Sequence, residues 1–184
     1  MSENDSSLKR SFNINRKTIA MFVIPLILLG SLFVFAGFEG FSGTTDIEVA
    51  DLDGNTISTA DYSGKIQFIE FFATWCTSCK QITQAIASYH QKYQFSDVIF
   101  WSISIDTPHD QPNIIQNYIN DNNLSSYIDQ GTWNFGRDLK DYHEILDVTG
   151  VPHTFLMAPN GSFVKNYIGV LNIDDIEDWI NSLR

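Results

Sequence analysis

The only two cysteines of this chain, Cys76 and Cys79, stand three positions apart at the junction of two hydrophobic patterns. Before them runs a short apolar stretch, Ile66 to Phe72. After them Ile82, Ala85, Ile86, Tyr89 and Tyr93 recur every three or four residues. The first pattern reads as a strand buried on both faces of a sheet, the second as a helix with one buried face. A strand, a tight turn carrying Trp75-Cys76-Thr77-Ser78-Cys79-Lys80 and a helix must follow one another, which restricts the chain to folds that pack helices on a buried sheet. The placement also carries chemistry. Unsatisfied N–H groups and the dipole at a helix N-terminus favour negative charge, so Cys76 is expected to hold a thiolate more readily than a free thiol. Two intervening residues put Cys79 one turn on, where it can attack a mixed disulfide formed at Cys76. An inert structural disulfide over so short a loop gains little chain-entropy stabilisation. Two cysteines also make neither a disulfide scaffold nor a four-cysteine zinc site. Lys80 adds a nearby positive charge.

The remaining elements alternate. Extended pieces at 46–50 and 55–58 flank Asp51-Leu52-Asp53-Gly54, a hairpin signal. Residues 98–105 read as a second buried strand, and 111–122 as a second helix with Asp110 as N-cap and Pro112 in its first turn. A shorter helix is expected at 138–146, with Trp133 and Phe135 in the loop before it. Segments 153–157 and 162–167 flank Pro159-Asn160-Gly161, a second hairpin, and 173–183 closes the chain as an amphipathic helix capped by Asn172. The order β-β-β-α-β-α-α-β-β-α predicts an α/β domain, a mixed central sheet with helices on both faces.

Residues 18–38 form an apolar run of 21 residues without one ionisable side chain. At about 1.5 Å per residue it is long enough to cross a bilayer, and Pro25 is tolerated in such a helix. Lys9, Arg10, Arg16 and Lys17 precede it and Glu39 follows, so the positive-inside rule keeps the N-terminus in the cytoplasm. A cleaved signal peptide would carry an apolar stretch of only ~7–15 residues, and an uncleaved anchor is therefore expected. The predicted organisation is a cytoplasmic tail at 1–17, a transmembrane anchor at 18–38, a linker at 39–45 and an exported domain at 46–184. That part is acidic, with 19 acidic against 7 basic side chains from Gly40 onward. Such a charge excludes non-specific nucleic-acid binding and argues against docking on anionic headgroups. Fourteen Phe, four Trp and seven Tyr exclude disorder for most of the chain.

The run Phe68-Ile69-Glu70-Phe71-Phe72-Ala73-Thr74-Trp75-Cys76-Thr77-Ser78-Cys79-Lys80 resembles the active-site strand and turn of thioredoxins. Residues 46–184 resemble the membrane-anchored TlpA/ResA branch of thioredoxin-like thiol–disulfide oxidoreductases. The shared features are the N-terminal anchor, the extra hairpin, an insertion at 105–134 and the step Gly150-Val151-Pro152. The resemblance implies a thioredoxin fold with an N-terminal hairpin extension, preceded by one transmembrane helix. It further implies thiol–disulfide exchange at a redox-active Cys76–Cys79 pair, with no other cofactor and no metal. The expected direction is reduction of extracytoplasmic protein disulfides, for instance in cytochrome c maturation, recharged through the membrane by an electron carrier of the CcdA/DsbD type. Pro152 matches the cis-proline whose loop faces the cysteines and offers the Val151 backbone to a substrate strand. Trp75 is expected to shield one side of the disulfide. Glu70 falls where thioredoxin has a buried acid, with a raised pKa and the role of taking a proton from Cys79. Alternation along the apolar strand leaves open which face Glu70 takes. Two departures stand out: Glu70 is one methylene longer than the thioredoxin aspartate, and Ile82 replaces a glutamate that some ResA-like chains carry in the first helical turn.

A rival reading starts from His153, which directly follows Pro152. Cys76, Cys79 and His153 together suit a soft ion such as copper(I), the donor set of a metallochaperone. The two-residue cysteine spacing and the absence of a Met-rich stretch count against it. His90, His109 and His143 are expected to be surface or packing residues. Asn123-Leu124-Ser125 and Asn160-Gly161-Ser162 are glycosylation sequons.

Overall fold

The Asp51 carboxylate organises the first turn: its Oδ1 accepts the amides of Asp53 and Asn55 at 2.9 and 2.7 Å, and Gly54 supplies a φ of 87°. Strands β1 (Glu48–Ala50) and β2 (Thr56–Ser58) consequently pair as the expected hairpin. A computed structural model of the chain describes residues 46–93 and 97–184, so the predicted anchor at 18–38 lies outside the described residues. Among those described, no helix is long and apolar enough to cross a membrane. A 3-10 turn at Thr59–Tyr62, closed by a capping box between Ser58 and Asp61, leads into β3 (Ile66–Phe72). There follow α1 (Thr77–Lys92), β4 (Val98–Ser104), α2 (Pro112–Asp121) and the one-turn α3 (Ser125–Asp129). The chain ends with β5 (Trp133–Arg137), α4 (Tyr142–Ile145), β6 (His153–Met157), β7 (Phe163–Ile168) and α5 (Ile173–Asn181).

Among the described residues, seven strands join one mixed sheet in the order β2-β1-β5-β4-β3-β6-β7. The central strand β3 runs parallel to β4 and antiparallel to β6 and is buried along its whole length, which is why its sequence is apolar on both faces. Its side chains alternate between two cores. Phe68 and Phe72 point to the core shared with Ile82 and Ile86 of α1, Ile115 and Ile119 of α2, and Ile176 and Ile180 of α5. Ile69 and Phe71 point to the other core, with Ile47, Val49, Trp101 and Phe155. Tyr62 of the 3-10 turn and Tyr142 of α4 pack against that second core. Helices thus lie on both faces as expected, but the three long ones share a single face.

Three expectations at the level of elements need correction. Trp133 and Phe135 are not in a loop; they belong to β5, parallel to β4 with Phe100 opposite Trp133 and Ser102 opposite Phe135. The strand is short and polar at alternate positions, and only its neighbour supplies the pairing. Its Gly136 lies where a Cβ would come within 2.5 Å of Val49 Cγ2, so the glycine lets β1 pack closely there. Asp110 does not cap α2, since Gln111 occupies the N-cap position without a side-chain bond. The helix expected at 138–146 shrinks to the single turn of α4, preceded by Asp141 at φ 57°. The Asp138 carboxylate holds that turn by accepting the amides of Tyr142 and His143 at 2.9 and 2.8 Å.

Candidate active site

Because β3 and β4 are parallel with Phe72 opposite Ser104, the segments leaving their C-terminal ends start side by side. In parallel sheets this end collects the functional loops. One segment is Ala73-Thr74-Trp75-Cys76; the other begins Ile105-Asp106. Cys76 becomes the N-cap of α1, in extended conformation, with its Sγ accepting the Cys79 amide at 3.1 Å. Ser78 Oγ lies 3.5 Å from the same sulfur and the Val151 carbonyl oxygen 3.8 Å. The Cys79 amide and the Ser78 hydroxyl are the donors that stabilise a thiolate when the bond is reduced, whereas the Val151 carbonyl can only accept from the thiol. Cys76 and Cys79 form a disulfide with their Cα atoms 5.2 Å apart. The two sulfurs differ in access: Cys76 is 6% exposed and Cys79 fully buried.

The Val151–Pro152 peptide is cis, and Val151, Gly150 and Val148 form one wall of a groove of about 780 Å³. Trp75, Cys76 and Ile105 line the rest together with Asp106. Trp75 is 62% exposed, and its indole Nε1 donates to Asp106 Oδ2 at 2.7 Å, so the ring is held at the rim. Cys76, Cys79, Trp75, Val151 and Pro152 are therefore gathered at one place, as expected from the sequence.

Glu70 is fully buried, and alternation along β3 puts it on the face of Phe68 and Phe72, the core that also contains both cysteines. Its Oε2 accepts the Ser102 hydroxyl at 3.2 Å, and its Oε1 has no hydrogen-bond partner. Burial raises the Glu70 pKa from its ordinary 4.5 to about 8, against a smaller downward pull from Ser102. His153 takes the other face. It stacks on Phe155, with ring centroids 4.4 Å apart, and Nε2 is 3.4 Å from Asn166 Oδ1. Phe155 belongs to the second core. The donor set Cys76, Cys79 and His153 is accordingly split across the sheet. Among the described residues no group of three or more His, Cys, Asp or Glu side chains is placed to hold a metal ion.

Two residues that the sequence reading did not assign to the site, Asp106 and Asp110, belong to it. Asp110, fully buried, accepts the Thr74 amide at 2.9 Å, the Thr74 hydroxyl at 2.5 Å and the Ser104 hydroxyl at 2.6 Å, and its Oδ1 is 2.8 Å from His109 Nδ1. Burial pushes this carboxyl up, but the hydrogen bonds from Ser104, Thr74 and His109 outweigh it and the net direction is down. His109 is pushed up in turn, first by that hydrogen bond. Asp110 and Asp106 together tie the turn before Cys76 to the loop after β4. Their signal was available: two acids just past a buried parallel strand lie at the end of the sheet where the cysteine turn must also lie. His143 pairs with buried Asp138 at 2.7 Å, and His90 packs against both Tyr127 and Trp133, with burial lowering its pKa to about 4.

The sequence matches the model of the AhpC/TSA family over residues 43–165. The chain belongs to that family. Among curated proteins it is similar to the thiol-disulfide oxidoreductase ResA of Bacillus subtilis, 28% identical over 157 residues that cover 82% of this chain and 81% of the relative. Among solved structures it is similar to StoA from Bacillus subtilis, with TM-score 0.60, 18% identity, and coverage of 75% of this chain and 98% of StoA. A thiol:disulfide interchange protein of the thioredoxin family from Chlorobium tepidum matches with TM-score 0.62 and 17% identity, covering 75% and 92% of the two chains. The structural matches show the thioredoxin-like α/β fold, and the family and the relatives bear out the expected resemblance.

Proposed function

We propose that the protein is a membrane-tethered thiol–disulfide oxidoreductase that reduces protein disulfides outside the cytoplasm. The observation that carries this reading is the disulfide itself, at the floor of an open groove, with Cys76 capping a helix and Cys79 buried behind it. In the reduced enzyme the Cys76 thiolate attacks a substrate disulfide, forms a mixed disulfide and expels one substrate thiolate. Glu70, as carboxylate, takes the proton of the Cys79 thiol. The Cys79 thiolate then attacks Cys76 Sγ, the Cys76–Cys79 bond forms, and the second substrate thiolate leaves. Two electrons pass from the enzyme dithiol to the substrate. The Val151 backbone and the Trp75 ring form the groove walls against which a substrate segment lies.

Tethering rests on the apolar run at 18–38 and its basic flank at Lys9, Arg10, Arg16 and Lys17, which place the catalytic domain on the far side of the membrane. A carrier of the CcdA/DsbD type would return the enzyme to its dithiol state, and apocytochrome c is a fitting substrate. The name of the Bacillus subtilis relative supports the chemistry. The split of Cys76, Cys79 and His153 across the sheet removes the geometric support for copper carriage.

The test is trapping in the full-length protein. Cys76→Ser abolishes disulfide reduction, whereas Cys79→Ser accumulates a mixed disulfide with substrate that denaturing non-reducing gels detect. Turnover by either variant would remove the assigned roles. The equilibrium potential of the pair against glutathione decides direction: a value near that of thioredoxin, about −270 mV, marks a reductant, and one near −120 mV a disulfide donor.

A further inference from the structure

Glu70 on β3 and Thr154 on β6 are direct cross-strand partners in an antiparallel pair. Both side chains take the helix-covered face, as Phe68, Phe72 and Leu156 at alternate positions do. Both residues are fully buried, and each carries a polar atom with no partner, Glu70 Oε1 and Thr154 Oγ1. Directly opposed side chains of an antiparallel pair have Cβ atoms roughly 4.5–5.5 Å apart, within reach of a hydroxyl and a glutamate oxygen or of one bridging water. Buried polar groups are nearly always satisfied, so two facing orphans call for a shared partner or for each other.

We propose that Thr154 is a positioning residue for Glu70: its hydroxyl engages Oε1, directly or through one bound water, and so sets how readily Glu70 accepts the proton of Cys79. This rests on the reading of Glu70 as that acceptor. The proton balance is simple: Cys79 thiol and Glu70 carboxylate become Cys79 thiolate and Glu70 carboxylic acid, with no other reactant. A hydroxyl that donates to a carboxylate stabilises its charged form. With Thr154 in place, more of Glu70 is ionised and able to accept at neutral pH.

The groups around Glu70 come from several elements. Ser102 donates from β4, and Cys79 belongs to the same core from α1. Tyr118 of α2 feels the charges of Glu70 and Asp110, and its hydroxyl is bonded to Thr83 at 2.6 Å. Burial drives Tyr118 far above the neutral range, and Asp110 stays ionised. Of these groups Glu70 is the one brought near neutrality.

The experiment follows closure of the Cys76–Cys79 disulfide by stopped-flow tryptophan fluorescence when the reduced full-length protein meets glutathione disulfide, from pH 5.5 to 9.5. Thr154→Val keeps the shape and removes the donor. It is expected to slow closure at pH 7 by about 3- to 10-fold and to shift the limb on which the rate rises with pH to higher pH, while Thr154→Ser retains the wild-type profile. Thr154→Ala provides a second test should the valine variant unfold, and its limb must move the same way. Profiles of Thr154→Val or Thr154→Ala that superimpose on wild type, while Glu70→Gln loses the limb, overturn the role of Thr154 alone. An unchanged profile in Glu70→Gln overturns the acceptor reading and the role of Thr154 with it.

Discussion

Glu70 and Asp110 are both fully buried carboxyl groups, one on the central strand that leads to the cysteines and one behind the turn that precedes them. Burial alone would push both upward in pKa. Only Glu70 goes that way, to about 8, while Asp110 ends below its ordinary value. The difference lies in the donors. Asp110 is surrounded by the Thr74 amide, two hydroxyls and an imidazole; Glu70 has Ser102 and one oxygen without a partner. One carboxylate is therefore a fixed structural anion and the other a group that exchanges its proton near neutral pH. On the proposed mechanism, a turn that holds a reactive sulfur in place and also clears a proton from its partner uses one of each.

The largest expected effect is on stability. Asp110→Ala leaves the donors around it unsatisfied and should lower the free energy of unfolding by about 3 kcal/mol. Glu70→Leu, which removes a poorly satisfied polar group, should leave stability at pH 8 unchanged or raised. Urea denaturation measures both, and an Asp110→Ala variant as stable as wild type would break the contrast. Next is the dependence on pH, where the two acids have opposite signs. The folded state holds the Glu70 proton more tightly than the unfolded chain, so its stabilising contribution is complete below 4.5 and is lost as pH rises through about 8. The slope cannot exceed about 1.4 kcal/mol per pH unit, and Glu70→Gln should remove it. The Asp110 contribution is present above 3.8 and is lost as pH falls through its lowered folded value. Stability curves of the two variants that parallel each other would contradict this assignment. The smallest effect sharpens the donor argument: Ser102→Ala should raise the Glu70 pKa further, read from its side-chain carboxyl carbon shift by NMR, while Thr74→Val costs about 1 kcal/mol without freeing Asp110 from its charge.

How much of this was legible in the residues depends on whether the signal was local. The Cys76 turn was readable because a buried strand, a pair of cysteines and a one-sided helix follow one another within a single stretch of chain. The hairpins were readable from Asp51-Leu52-Asp53-Gly54 and Pro159-Asn160-Gly161, where turn residues act on their own backbone. Strand β5 was not, because Trp133-Asn134-Phe135-Gly136 becomes a strand only beside β4. Asp110 looked like a helix cap because capping is the local use of an aspartate before Pro112. Its actual partner, Thr74, is 36 residues away in sequence. His153 looked close to the cysteines because it follows Pro152, yet one step along a strand reverses the face.

By itself, the sequence determined the chemistry on offer: a paired thiol at a helix start, an acid six residues before it, a Gly-Val-Pro step far along the chain and an apolar run at 18–38. Which of those groups meet was decided by the tertiary structure. Parallel pairing of β3 and β4 brings the Asp106–Asp110 loop onto the cysteine turn, and antiparallel pairing of β3 and β6 sets Thr154 against Glu70. The physical reason is that a sheet places residues by register and face. Neither property exists until distant strands have paired.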